Sequence, residues 1–212
     1  MRILPDSTWV MAGDSITACE RDVSDPLDLG TGYVALVAGM LTACHPSYRI
    51  RVLNRGVPGD TVRDLKVRWR SDVLSLDPDW LSVCIGINDV WQQFDGKPHP
   101  QPHVALPEYE RTYDDLLTTA RPGLKGLVLM TPYFLEPPGG PMRAMMDIYA
   151  AAVKRLAHKH SAIVVDAQAE FDRLVQHVPV DALAWDGAHL TLPGHLVLAR
   201  AVLRRLDLAW DG

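Results

Sequence analysis

Apolar positions along the chain fall into two alternating patterns. Short, nearly unbroken apolar runs occupy residues 9–12, 50–53, 80–85, 127–130 and 162–165. Runs of this length, without strict in-out alternation, predict strands buried on both faces. Between them lie longer stretches with apolar residues three and four apart: residues 33–44, 62–76, 108–120, 142–160 and 193–206. These predict helices. Pro141 and Pro193 fall in the first turns of the last two, where a missing N–H costs nothing. Such β-α alternation predicts an α/β fold built on a five-stranded parallel sheet, doubly wound through right-handed crossovers. No repeat, low-complexity segment or linker interrupts it, so residues 1–212 are expected to form a single domain. Residues 95–107 and 136–141, which contain Pro and Gly, read as loops. The first is long enough to serve as a lid or an interface.

Composition narrows the function. Hydrophobic residues make up 48% and charged residues 22%, as in ordinary globular proteins. A net charge of -5 gives no reason to expect nucleic acid or an anionic membrane as partner. No apolar run is long enough to span a bilayer, and residues 1–6 lack the apolar stretch of a signal peptide. Three cysteines, Cys19, Cys44 and Cys84, form no CxxC pair. They read as buried free thiols of a reducing cytosol rather than as disulfides or zinc ligands.

Four short blocks carry candidate chemistry. Gly13-Asp14-Ser15 follows the first predicted strand, Asn54-Arg55-Gly56-Val57-Pro58-Gly59 the second, and Gly86-Ile87-Asn88-Asp89 the third. Asp186-Gly187-Ala188-His189 precedes the last helix. Parallel strands bring the first three to one sheet edge, where α/β proteins place their sites. A serine hydroxyl is a poor nucleophile without a base in reach. His189 can take the Ser15 proton and return it to the leaving group. Asp186, three residues earlier, can hold the other ring nitrogen. Attack on an acyl carbon also requires preset donors for the developing oxyanion. The candidates are the backbone N–H groups of Ser15 and Gly56 and the side-chain amide of Asn88. Each block also has a structural reading as a cap or turn. Together and in this order, the four are hard to read so.

The four blocks resemble those of the SGNH hydrolases, or GDSL esterases. The defining residues of that family fall on Ser15, Gly56, Asn88 and His189, with the acid on Asp186. The similarity covers nearly the whole chain. It is nearest to bacterial acetylxylan (acetyl-xylooligosaccharide) esterases, through Leu29-Gly30-Thr31-Gly32-Tyr33-Val34, Thr61-Val62-Arg63-Asp64-Leu65, Ile85-Gly86-Ile87-Asn88-Asp89-Val90-Trp91, Leu129-Met130-Thr131-Pro132 and Ala184-Trp185-Asp186. The resemblance implies a flavodoxin-like three-layer α/β/α sandwich and ester hydrolysis through an acyl-enzyme, with no metal and no cofactor. At the finer level it implies deacetylation of small xylan-derived sugars, a cytoplasmic location and a homo-oligomer. Lipolytic relatives (lysophospholipases, thioesterases) and a non-catalytic carbohydrate-binding protein on this fold are the alternatives.

Other residues carry competing readings. Gly30-Thr31-Gly32-Tyr33-Val34-Ala35 fits G-x-G-x-x-A, but no apolar strand precedes it, so it reads as a helix start. His99 and His103 lie among prolines, not on a helix face suited to zinc. His158 and His160 close a helix; His195, inside the last helix, competes with His189 as base, but its spacing from Asp186 does not fit the family block. Met142, Met145 and Met146 read as packing residues. Trp91 and Trp185 adjoin catalytic blocks and read either as sugar-binding rings or as core packing residues.

Overall fold

The computed structural model describes residues 3–136 and 139–208. The first two residues of the N-terminal stretch and positions 137 and 138 of the second expected loop lie outside the described residues. Five strands, β1 (Thr8–Gly13), β2 (Arg51–Gly56), β3 (Trp80–Cys84), β4 (Gly126–Met130) and β5 (Ile163–Val165), form one sheet in the order β2-β1-β3-β4-β5. All neighbours pair in parallel. The helices are α1 (Ser15–Ala18), α2 (Tyr33–Cys44), α3 (Val62–Asp72), α4 (Ile87–Trp91), α5 (Leu106–Ala120), α6 (Pro141–Lys159), α7 (Ala167–Leu174) and α8 (Leu192–Arg205).

β3 and β4 are buried at every position and β1 at all but its first residue. Two-sided burial explains their continuous apolar runs. Leu81, in central β3, is fully buried; replacing it with Ala costs about 2–5 kcal/mol of stability. α2 packs on α8, while α3 packs on α5 and α5 on α6. With right-handed crossovers these two sets cover opposite faces, giving the three-layer sandwich expected. The strand order reverses between β1 and β3, and such a switch point opens a crevice at the carboxyl ends of the strands.

Several boundaries differ from expectation. The second strand does not stop at residue 53 but runs through Gly56, with Asn54, Arg55 and Gly56 paired to Met11, Ala12 and Gly13. The polar pair Asn54-Arg55 hides this extension from an apolar pattern. The helix expected over 62–76 ends at Asp72 and yields to a 3-10 turn, Leu74–Leu76. α5 begins at Leu106, with Pro107 in its first turn, so the preceding loop is shorter than expected. α1 and α4 are too short for a helical period to show.

Candidate active site

β1 ends at Gly13, and Asp14 caps α1 by accepting the Ile16 N–H on Oδ1 at 3.0 Å. Ser15 is the first residue of α1 and is only half-buried, so its hydroxyl reaches the crevice. Ser15 Oγ lies 3.1 Å from His189 Nε2. His189 Nδ1 lies 2.8 Å from Asp186 Oδ2. The carboxylate accepts at Nδ1, so Nδ1 carries the hydrogen and Nε2 presents its lone pair to the serine hydroxyl. Asp186 Oδ1 accepts the N–H groups of Ala188 (3.0 Å) and His189 (2.8 Å). Burial pushes the Asp186 carboxyl up, but the His189 ring and these two backbone donors outweigh it and hold the group below the usual carboxylate range.

The segment bearing Asp186 and His189 lies outside the sheet and is tied down from several sides. Ala184 and Leu190 form an antiparallel bridge, and the Trp185 N–H donates to the His189 carbonyl at 3.0 Å. The Tyr133 hydroxyl donates to Ala188 O at 3.0 Å, and the Leu135 N–H to Gly187 O at 2.8 Å. The strand-borne and loop-borne halves of the predicted triad therefore meet.

Asn88, in α4 beyond β3, stands across the crevice. One hydrogen of its amide goes to Asp60 O at 2.9 Å, leaving the other to serve a ligand. The neighbouring Asp89 is fully buried and accepts the Val62 N–H at 3.0 and 3.3 Å. Burial raises its carboxyl to about 7.

Gly56 does not serve as the oxyanion donor expected of it. Its N–H donates to Asn54 Oδ1 at 2.8 Å, inside the protein. Gly56 is the last residue of β2 and sits against α1: a Cβ there would lie 2.1 Å from Ala18 N. Close packing explains that glycine. Gly59, beyond the strand end, has the properties sought. It is exposed, its φ is +84°, and its N–H has no partner among the described residues. Its neighbour Asp60 is the residue that holds Asn88. The signal was the second glycine of the same block, legible once β2 is extended to residue 56. Arg68 was also missed. Its guanidinium bonds Gly13 O (2.9 Å), Arg55 O (2.8 Å) and Asp60 Oδ2 (2.6 Å), clamping the ends of β1 and β2 together. In the sequence it is one more charged residue in a helix.

His195 is not a competing base. It is 4% exposed, its Nδ1 accepts the Tyr33 N–H at 3.1 Å, and its Nε2 contacts Cys19 Sγ at 3.1 Å. Burial lowers it to about 4, so it stays neutral and satisfies the first turn of α2. Gly32 is the N-cap residue of α2, so the glycine-rich stretch is a helix start. The thiols are not uniformly buried as expected: Cys84 is buried, Cys19 half-buried and Cys44 exposed, because Cys44 ends α2 at the surface. Trp185 is 73% exposed, its ring 6.5 Å from that of His189 and tilted 26° to it. Trp91 is half-buried and meets Phe134 edge-on at 5.8 Å. His99 pairs with Asp95, and Met146 is buried in the core, with Met142 and Met145 packed against it. Among the described residues no cluster of three or more His, Cys, Asp and Glu is placed to hold a metal, and no helix is long and apolar enough to cross a membrane.

Similarity to known proteins follows the same residues. An acetylxylan esterase of Geobacillus stearothermophilus is 44% identical, over 99% of this chain and 98% of that protein. The crystal structure of that enzyme, Axe2, superposes with a TM-score of 0.95 at 44% identity, covering 99% of this chain and 98% of the other. Its catalytic mutants, one each at a serine, an aspartate and a histidine, superpose equally well. LAE5, an alpha/beta hydrolase from the metagenome of Lake Arreo, Spain, is also 44% identical, with a TM-score of 0.93 over 96% of each chain. Residues 11–197 match the GDSL-like lipase/acylhydrolase family, from the middle of β1 into α8. With that match reaching all five strands and both halves of the Ser15–His189–Asp186 chain, this protein belongs to the GDSL-like lipase/acylhydrolase family.

Proposed function

We propose that the protein is a serine esterase that removes small acyl groups, acetyl above all, from sugar hydroxyls such as those of xylo-oligosaccharides. The observation that carries this reading is the continuous chain Ser15 Oγ–His189 Nε2 (3.1 Å) and His189 Nδ1–Asp186 Oδ2 (2.8 Å). Ser15 Oγ attacks the acyl carbon as its proton passes to His189 Nε2. Asp186 stabilises the imidazolium. The carbon–oxygen bond to the alcohol then breaks, and His189 returns the proton to the departing alcohol. Water, deprotonated in turn by His189, attacks the acyl-serine, releasing the carboxylic acid and restoring Ser15. Three donors serve the oxyanion: the Asn88 amide, the Ser15 N–H and the Gly59 N–H, which takes the place expected of Gly56. Neither backbone N–H has a partner among the described residues.

The similarity to an acetylxylan esterase supports the sugar ester as substrate class. We further propose a homo-oligomer in the cytoplasm; three free thiols, one of them exposed, favour a reducing setting. Light scattering on the purified protein reads the oligomeric state directly. The enzymatic test is acetate release from p-nitrophenyl acetate and acetylated xylo-oligosaccharides without added metal. Wild type is expected to turn over both, and Ser15→Ala to fall by roughly 10⁴-fold or more in kcat. Undiminished turnover in the variant overturns the reading.

A further inference from the structure

Two cavities share the Ser15–His189 pair in their walls. One is a cleft of about 150 Å³ where Asn88 stands, walled by Ile16, Ile87 and Trp91. The other is a cavity of about 550 Å³ bordered by Glu20, Thr31, Thr191 and Trp185. We propose that they divide the ester between them: the acyl group enters the cleft beside Trp91 and the alcohol fills the larger cavity beside Trp185, so that Trp91 limits acyl length. This rests on the esterase reading above and deepens it.

Size supports the division, and so do the side chains available to bond a sugar: the larger cavity has apolar walls too, at Pro58, Leu190 and Leu192, but adds Glu20, Thr31 and Thr191. The larger cavity has more than three times the volume of the cleft, so the cleft suits a short acyl group and the larger cavity a sugar. Apart from Ser15, Asn88 and His189, which the reaction employs, the side chains walling the cleft are apolar. A sugar placed there would leave its hydroxyls unpaired, a costly loss. In the larger cavity, Thr31 Oγ1 donates to Glu20 Oε2 at 2.8 Å, leaving the other carboxylate oxygen for a sugar hydroxyl. Trp185 is 73% exposed and offers a ring face to a sugar. Trp91 is braced instead: its ring abuts Phe134 edge-on, and Phe134 packs against Gly187 of the His189 segment. The two tryptophans, alike beside their blocks in the sequence, take different halves of the substrate.

Two ester series test this. In the first, p-nitrophenyl acetate, butyrate, hexanoate and octanoate share one alcohol. In the second, the acetyl group is constant and p-nitrophenol is compared with xylobiose. Wild type should favour acetate and lose kcat/KM steeply beyond butyrate. Trp91→Ala should raise the hexanoate-to-acetate ratio of kcat/KM by tenfold or more, since each methylene in an apolar pocket is worth about that much. Trp91→Phe, which keeps an aromatic wall, should shift the ratio the same way by less and reports if the alanine variant does not fold. Trp185→Ala should leave that ratio unmoved and lower the preference for acetylated xylobiose over p-nitrophenyl acetate. The proposal is overturned if wild type shows no chain-length preference, if both Trp91 variants keep the wild-type ratio, or if Trp185→Ala moves the acyl ratio instead. If wild type hydrolyses no ester and a fluorophosphonate fails to label Ser15, the esterase reading itself falls.

Discussion

Two aspartates stand close in sequence to the catalytic pair, and their surroundings give them opposite characters. Asp14 precedes the nucleophile at the end of β1. It is 1% exposed; one oxygen takes the Ile16 N–H and the other has no partner among the described residues. Burial raises its carboxyl to about 8, so it stands protonated at neutral pH. Asp186 precedes the base on a loop. Both its oxygens are hydrogen-bonded, and the His189 ring with two backbone donors holds it ionised against its partial burial. Only the second can stabilise an imidazolium. Position beside a catalytic residue does not assign a role; the donors around the carboxyl do.

The sharpest way to break this contrast is to make the same isosteric change at both sites. Asp186→Asn should lower kcat by about 10⁴-fold, because an amide can hold the wrong imidazole tautomer. Steady-state kinetics on p-nitrophenyl acetate read it, and a loss below tenfold would deny Asp186 its part. Asn88→Ala removes one donor from the strand-end side and should cost roughly 100- to 1000-fold in kcat. Gly59→Ala should follow, with a loss of about 10- to 100-fold from a displaced N–H. The space there is open, but its φ of +84° disfavours a side chain. Full activity in that variant returns the third donor to some other group.

Asp14→Asn gives the smallest effect and the most selective. Between pH 3.8, the ordinary value for its carboxyl, and about 8, the folded protein holds a proton that the unfolded chain has released. Its contribution to stability is therefore complete below that window and is lost as pH rises through it. Asp89, raised to about 7, acts in the same direction. Thermal melts of Asp14→Asn should show a shallower decline between pH 5 and pH 8 than wild type, with kcat changed by less than Asp186→Asn changes it. An equal decline in both proteins would show that Asp14 is ionised in the fold.

The same two regions mark what the sequence made legible. The strand-end side was readable because β1, β3 and β4 carry nearly unbroken apolar runs, and β1 and β3 deliver Ser15 and Asn88 to one edge. It failed where a strand carries polar residues: Asn54 and Arg55 belong to β2, and stopping that strand at residue 53 shifted the expected donor from Gly59 to Gly56. The loop side was readable only as residue types and spacing. Nothing in Asp186-Gly187-Ala188-His189 announces the Tyr133 and Leu135 contacts that fold it over the crevice. Arg68 and the two cavities were invisible for a related reason. Each depends on carbonyls or side chains brought together from segments far apart in the chain.

The claim on which the rest depends is that Ser15 is the group acylated. Intact-mass and peptide-level mass spectrometry after fluorophosphonate treatment measures it directly. One adduct per chain is expected, on the peptide bearing Ser15, with labelling and acetate release lost together in Ser15→Ala. An adduct on another residue, or acetate release that survives in Ser15→Ala, would contradict it.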